Sequence, residues 1–137
     1  MRSIKFRVWN KYRNAWDYSF VIGSDGALWF RTGAGNEYCE TMNKPSDDMM
    51  LDLEVVQFTG ILDCDGKEIY EGDVLYMPEE RNDNGDVGNL YVVKFTEGAF
   101  WGVLMDNKDD YELLNDINDH CELVDNIFES PELLEVK

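Results

Sequence analysis

Histidine, proline and cysteine are scarce in this chain, with one, three and three copies among 137 residues. Cys39, Cys64 and Cys121 are widely spaced and make no C-x-x-C pair, which argues against a fully paired disulfide framework and against a zinc clasp. Reduced thiols are expected. Apolar runs are short: none approaches the roughly 18 to 20 residues that cross a bilayer, and Met1-Arg2-Ser3-Ile4-Lys5-Phe6-Arg7 lacks the apolar stretch of a signal peptide. The expectation is a soluble, intracellular, cytoplasmic protein. Positive charge is also sparse. Twelve basic residues face 29 acidic ones, a formal net of −17 with His120 neutral, which argues against direct binding to a nucleic-acid backbone. Nucleotide-cradling loops are absent too, since Gly33-Ala34-Gly35 has neither the third glycine nor a following helix. No cofactor and no metal are expected.

What is present is strand texture. The length suits a single domain over 1–137. Ile4, Phe6 and Val8 alternate with Lys5, Arg7 and Trp9, which predicts a strand with one buried face and one cationic, partly aromatic face. Trp16, Tyr18, Phe20 and Ile22 predict a return strand, and Gly23 to Gly26 a turn into a third strand at Ala27-Leu28-Trp29-Phe30. Residues 1–31 are thus a basic N-terminal hairpin region. Residues 32–54 show no sustained period and read as a connecting segment: a lid, a subunit-binding arm or a plain loop. Residues 55–137 read as a β core with C-terminal helical pieces. There Val55 to Thr59, Lys67 to Tyr70, Asp73 to Tyr76, Leu90 to Phe95 and Ala99 to Leu104 predict strands, separated by Asp65-Gly66, Glu71-Gly72, an acidic loop over 79–89 and Glu97-Gly98. Tyr111, Leu114 and Ile117 share a helical stripe with Asp109, Asp110 and Glu112 in its first turn, a last strand is expected from Cys121, and Ser130-Pro131-Glu132 opens a final helical turn.

Charge is unevenly distributed, at +4 over residues 1–31 and −21 over the remaining 106. Such a basic hairpin either lies across acidic parts of its own domain or meets the acidic face of a neighbouring copy, head to tail. A surface this acidic also suits an inhibitor that mimics DNA, and 106–137 alone carries a net of −9.

Reactive constellations are weak. Asp63-Cys64-Asp65-Gly66-Lys67 puts glycine at the wrong place for a calcium loop, and the run from Glu80 through Asn82, Asn84 and Gly85 ends on Tyr91 where a carboxylate is required. Carboxylates such as Glu71 and Asp73, on either side of a turn, could share a proton or hold a cation, though a turn and the start of a strand is the simpler reading. His120 next to Cys121 would point to the opposite face of a strand, so a Cys nucleophile would need partners from elsewhere. Trp9, Trp16, Trp29 and Trp101 suit a core or an interface.

Three segments carry a family likeness: Ile4-Lys5-Phe6-Arg7-Val8-Trp9, then Gln57-Phe58-Thr59-Gly60-Ile61-Leu62-Asp63 running into Asp65-Gly66-Lys67-Glu68-Ile69-Tyr70-Glu71-Gly72-Asp73-Val74, and finally Asn126-Ile127-Phe128-Glu129-Ser130-Pro131-Glu132-Leu133-Leu134. With these the chain resembles the YopX-like family of phage and prophage proteins. The resemblance implies an intracellular protein of a phage or integrated element, a mainly β fold and self-association. It implies no activity, and no catalytic residue is carried over. Asp125 stands where the family commonly has glycine.

The expected fold is mainly β, with α+β as the variant: a small barrel-like antiparallel sheet, an N-terminal hairpin and short C-terminal helices. The expected function is a non-catalytic, self-associating interaction module whose partner is itself or a host or phage protein. An acidic DNA mimic and a small carboxylate- or Cys-dependent hydrolase are the alternatives. Lys5, Arg7, Trp9 and Arg13 with Glu71 and Asp73 are the candidate interaction surface, and Gly60, Asp65, Gly66 and Gly72 are read as structural turns.

Overall fold

The computed structural model describes residues 3–18, 20–32, 41–43, 45–78 and 88–135. It divides into two units, Arg7–Val55 and Met1–Phe6 with Val56–Lys137, and the chain passes from one to the other inside strands β1 (Phe6–Asn10) and β6 (Leu53–Leu62).

In the Arg7–Val55 unit, β1 turns back into β2 (Ala15–Asp17), with Trp9 opposite Trp16. The turn closes because the Asn10 side chain accepts the Arg13 N–H at 3.1 Å and Asn14 adopts a left-handed φ of 51°, which asparagine tolerates better than most residues. The predicted return strand is interrupted beyond Asp17. Phe20–Ile22 forms a separate strand β3 that pairs with β4 (Leu28–Thr32), and β4 pairs in turn with β5 (Thr41–Asn43). The segment expected as a connection therefore holds a strand. It also holds a helical turn α1 (Asp47–Met50), capped by the Ser46 hydroxyl on the Met49 N–H and burying none of its residues. Val8, Leu28 and Leu53 make the small core here, with Phe20, Ile22 and Phe30 against it.

In the other unit, β6 pairs with β7 (Glu68–Tyr70), while β8 (Asp73–Met77), β9 (Asn89–Thr96), β10 (Ala99–Leu104), β11 (Tyr111–Leu113) and β12 (Glu122–Asn126) form an antiparallel half-barrel sheet ordered β11-β10-β9-β8-β12. The mainly β expectation holds. Ile69, Leu75, Tyr91, Val93, Leu114, Ile117 and Cys121 fill its core, and the period-2 alternation of β9 places Tyr91 and Val93 on that face.

Tyr111–Leu113 is a strand, not the first turn of the predicted helix. Its backbone pairs with β10, and the Tyr111 ring meets Trp101 edge-on at 5.3 Å, so tertiary pairing overrides the helical spacing. The stripe survives one element later: Leu114 and Ile117, in helix α2 (Leu114–Ile117), are 0% and 3% exposed. Gly102 makes room for them, since a Cβ there would lie 2.6 Å from Ile117 Cδ1. The C-terminal pieces end as expected in a 3-10 turn at Pro131–Glu135. No helix among the described residues is long and apolar enough to cross a membrane.

Candidate functional site

Two groups of residues stand out in the sequence, the cationic strand and the turn around Glu71, and the fold treats them differently. Lys5 donates to Glu68 Oε2 at 2.6 Å and lies 5.4 Å from the centre of the Phe58 ring. That hydrogen bond to Glu68, against slight desolvation, pushes the ammonium pKa up. The Arg7 guanidinium lies 3.9 Å above the Trp16 ring, Lys11 meets Glu54 at 3.3 Å, and Arg13 meets Asp17 at 3.4 Å. The cations in and beside β1 are thus tied to carboxylates and aromatic rings of their own chain. Trp9 is only 4% exposed, because the register sets it against Trp16 with ring centres 5.0 Å apart; it belongs to the interior and not to a surface. Ile4, expected on the buried face, is 61% exposed.

At the turn, Asp73 is 2% exposed and its carboxylate accepts the Tyr70 N–H at 2.7 Å, while half-buried Glu71 accepts the Gln57 N–H at 3.2 Å. Asp73 is therefore withdrawn from any surface, and both carboxylates hold backbone. Gly60, Gly66 and Gly72 have φ of 81°, 82° and 82°, the left-handed region that glycine occupies without strain, and the strand register shifts at Gly60. Gly72 is constrained further, since a Cβ there would run into the Phe128 ring. Asp65 is exposed, and its N–H is what the turn uses.

The residue that organises this corner is Asp63, which in the sequence reads only as an unsuitable calcium ligand. It is 5% exposed; Oδ1 accepts the N–H groups of Asp65 and Lys67 at 2.9 and 2.8 Å, and Oδ2 accepts that of Leu123 at 2.8 Å. Burial works against the charged form, but these three donors outweigh it and hold the carboxyl below its ordinary value. Thr59 and Asn126 act in the same way: Thr59 Oγ1 donates to the Ile69 carbonyl and accepts the Ile61 N–H, and Asn126 Oδ1 accepts the N–H groups of Phe128 and Glu129. An Asp or Asn two to four residues before a turn's free N–H is the signal that points to Asp63 and Asn126. Asp125 has no left-handed φ; among the described residues only Asn14 and Glu97 do so without being glycine.

Neither described thiol is activated. Partial desolvation and the carboxylates of Asp65, Asp63 and Glu122 push Cys64 up, and burial pushes Cys121 up to about 11, the opposite of what a nucleophile requires. No group of three or more His, Cys, Asp or Glu side chains that could hold a metal occurs among the described residues. Cys39 and the run from Glu80 to Gly85 lie outside the described residues.

Against this geometry, a protein-family profile described as YopX protein matches residues 5–135. No curated protein matches the chain. Solved structures are similar, among them the following two. Protein EF1440 from Enterococcus faecalis superposes with a TM-score of 0.62 at 22% identity, covering 98% of this chain and 99% of that one. Protein yopX from Bacillus subtilis gives 0.60 at 19% identity, with the same coverage of 98% and 99%. At these identities the likeness establishes the fold.

Proposed function

The chain belongs to the YopX protein family, and from that premise we propose that it is a cytoplasmic accessory protein of a phage or prophage, a non-catalytic module that works by protein contact and assembles with copies of itself. One observation carries the reading. Its buried polar side chains Thr59, Asp63, Asp73 and Asn126, the groups best placed for chemistry in a low-dielectric interior, hydrogen-bond to the protein's own backbone. The segments that carry the family likeness thus build a corner, in which the carboxylates of Asp63, Glu71 and Asp73 are held by backbone N–H donors.

The outside supports contact. Tyr18, Leu51, Phe95 and Tyr111 are each more than half exposed, and large apolar residues left in water favour association. Sedimentation velocity over a wide concentration range tests the reading: reversible assembly is expected at low and physiological salt, and a strict monomer at millimolar concentration overturns it. An activity screen against ester, amide and phosphoester substrates should stay empty; turnover lost on substituting Asp63, Asp73, Cys64 or Cys121, with the fold retained, would replace this reading with a hydrolase.

A further inference from the structure

Not every cation shares in the pairing that ties Lys5, Lys11 and Arg13. Lys94, on β9, and Lys108, in the turn after β10, are both exposed, and neither has an ion pair among the described residues. They border one depression. Its volume is about 160 Å³, and Val92, Val103, Leu104, Met105 and Leu134 of the C-terminal 3-10 turn complete its lining. That volume suits one branched or aromatic side chain, because an apolar cavity of about 150 Å³ holds a benzene molecule. Apolar side chains and two ammonium groups in one lining together favour an apolar anchor flanked by carboxylates.

The chain carries such a segment. Residues 47–52 read Asp-Asp-Met-Met-Leu-Asp, and Met49, Met50 and Leu51 are 56%, 40% and 76% exposed, with nothing in α1 buried. Three consecutive large apolar residues held in water between aspartates match the depression in size and in charge.

We infer that, within the self-assembly proposed above and resting on it, Leu51 of one copy enters the Val92–Val103–Leu134 depression of a second, with Asp48 and Asp52 against Lys94 and Lys108. Different surfaces meet, so the contact is head-to-tail and closes into a ring only if its rotation permits. The rim pairs are exposed, so added salt weakens them. The overall charge of −17 opposes assembly, so the local match has to overcome a general repulsion.

The test uses sedimentation velocity on the full chain and three variants: Leu51→Asp, the pair Lys94→Glu with Lys108→Glu, and the pair Asp48→Lys with Asp52→Lys. All five substituted side chains are exposed, and thermal melts should match the unsubstituted protein. Each variant alone is expected to assemble at least about tenfold more weakly. Mixing the two charge-reversed variants should restore assembly, since a reversed rim then meets a reversed segment, an outcome that misfolding cannot produce. If the unsubstituted protein assembles and the variants assemble equally well, this interface is overturned while self-association stands. If the unsubstituted protein never assembles, both fall.

Discussion

At the corner, Asp63 is buried and receives three backbone N–H groups, whereas Glu68 and Glu54 meet Lys5 and Lys11 at the two ends of the N-terminal strand with roughly half of each side chain open to water. Both arrangements neutralise carboxylates at hydrogen-bond or ion-pair distance. Their energetic weights differ, because backbone donors already fixed by the strands cost no further entropy and are not screened, while exposed ion pairs immobilise two long side chains and compete with solvent and salt. The strand that attracts attention for its charge is thus held weakly by that charge, and the inconspicuous Asp63 fixes the turn.

Replacing Asp63 would break the comparison most directly. Asp63→Ala leaves three N–H groups in a buried corner without their acceptor, and a loss of about 3 kcal/mol is expected in urea unfolding. A loss no larger than that of an average surface substitution would sink the assignment. Gly72→Ala comes next: a left-handed φ of 82° and the Phe128 ring together should remove about 2 kcal/mol, and an additional Phe128→Leu change should return part of it.

Acid provides a third and smaller effect. The folded Asp63 carboxyl lies below its ordinary 3.8, so the unfolded chain takes up that proton first as pH falls. Its contribution is complete at neutral pH and is lost as pH drops through the unfolded value toward the folded one. Asp63→Asn should therefore be less stable at neutral pH and show a flatter stability profile between about pH 5 and pH 2. The smallest change is expected from Lys5→Ala, which should move the melting temperature by no more than about 2 °C at low salt and by less in high salt.

Much of the β core is legible in the sequence because alternation and Gly-containing turns coincide from Val55 to Leu104; strands β6 to β10 fall where those signals put them. Tyr111 misleads because spacings of three and four do not reveal a neighbouring strand with an unpaired edge. Trp9 misleads for a related reason: alternation assumes one wet face, and a ring opposite Trp16 dries the other. Asp63 is inconspicuous because a carboxylate beside Asp and Gly invites the question of what it offers a cation, not of which N–H groups a tight turn leaves over. Lys94 and Lys108 are hidden by their fourteen-residue separation, which only the β9–β10 hairpin cancels.

Gly72 has a consequence for the order in which the molecule is made. Its N–H donates to the carbonyl of Val93 and its own carbonyl accepts from Ile127, while Leu123 reaches back to Asp63. A nascent chain emerging from the ribosome therefore holds an unfinished corner until Leu123 and Ile127 have been added. Closure waits on β12 and the turn after it, so a chain cut short before Leu123 would lack its latch and stay open to proteases.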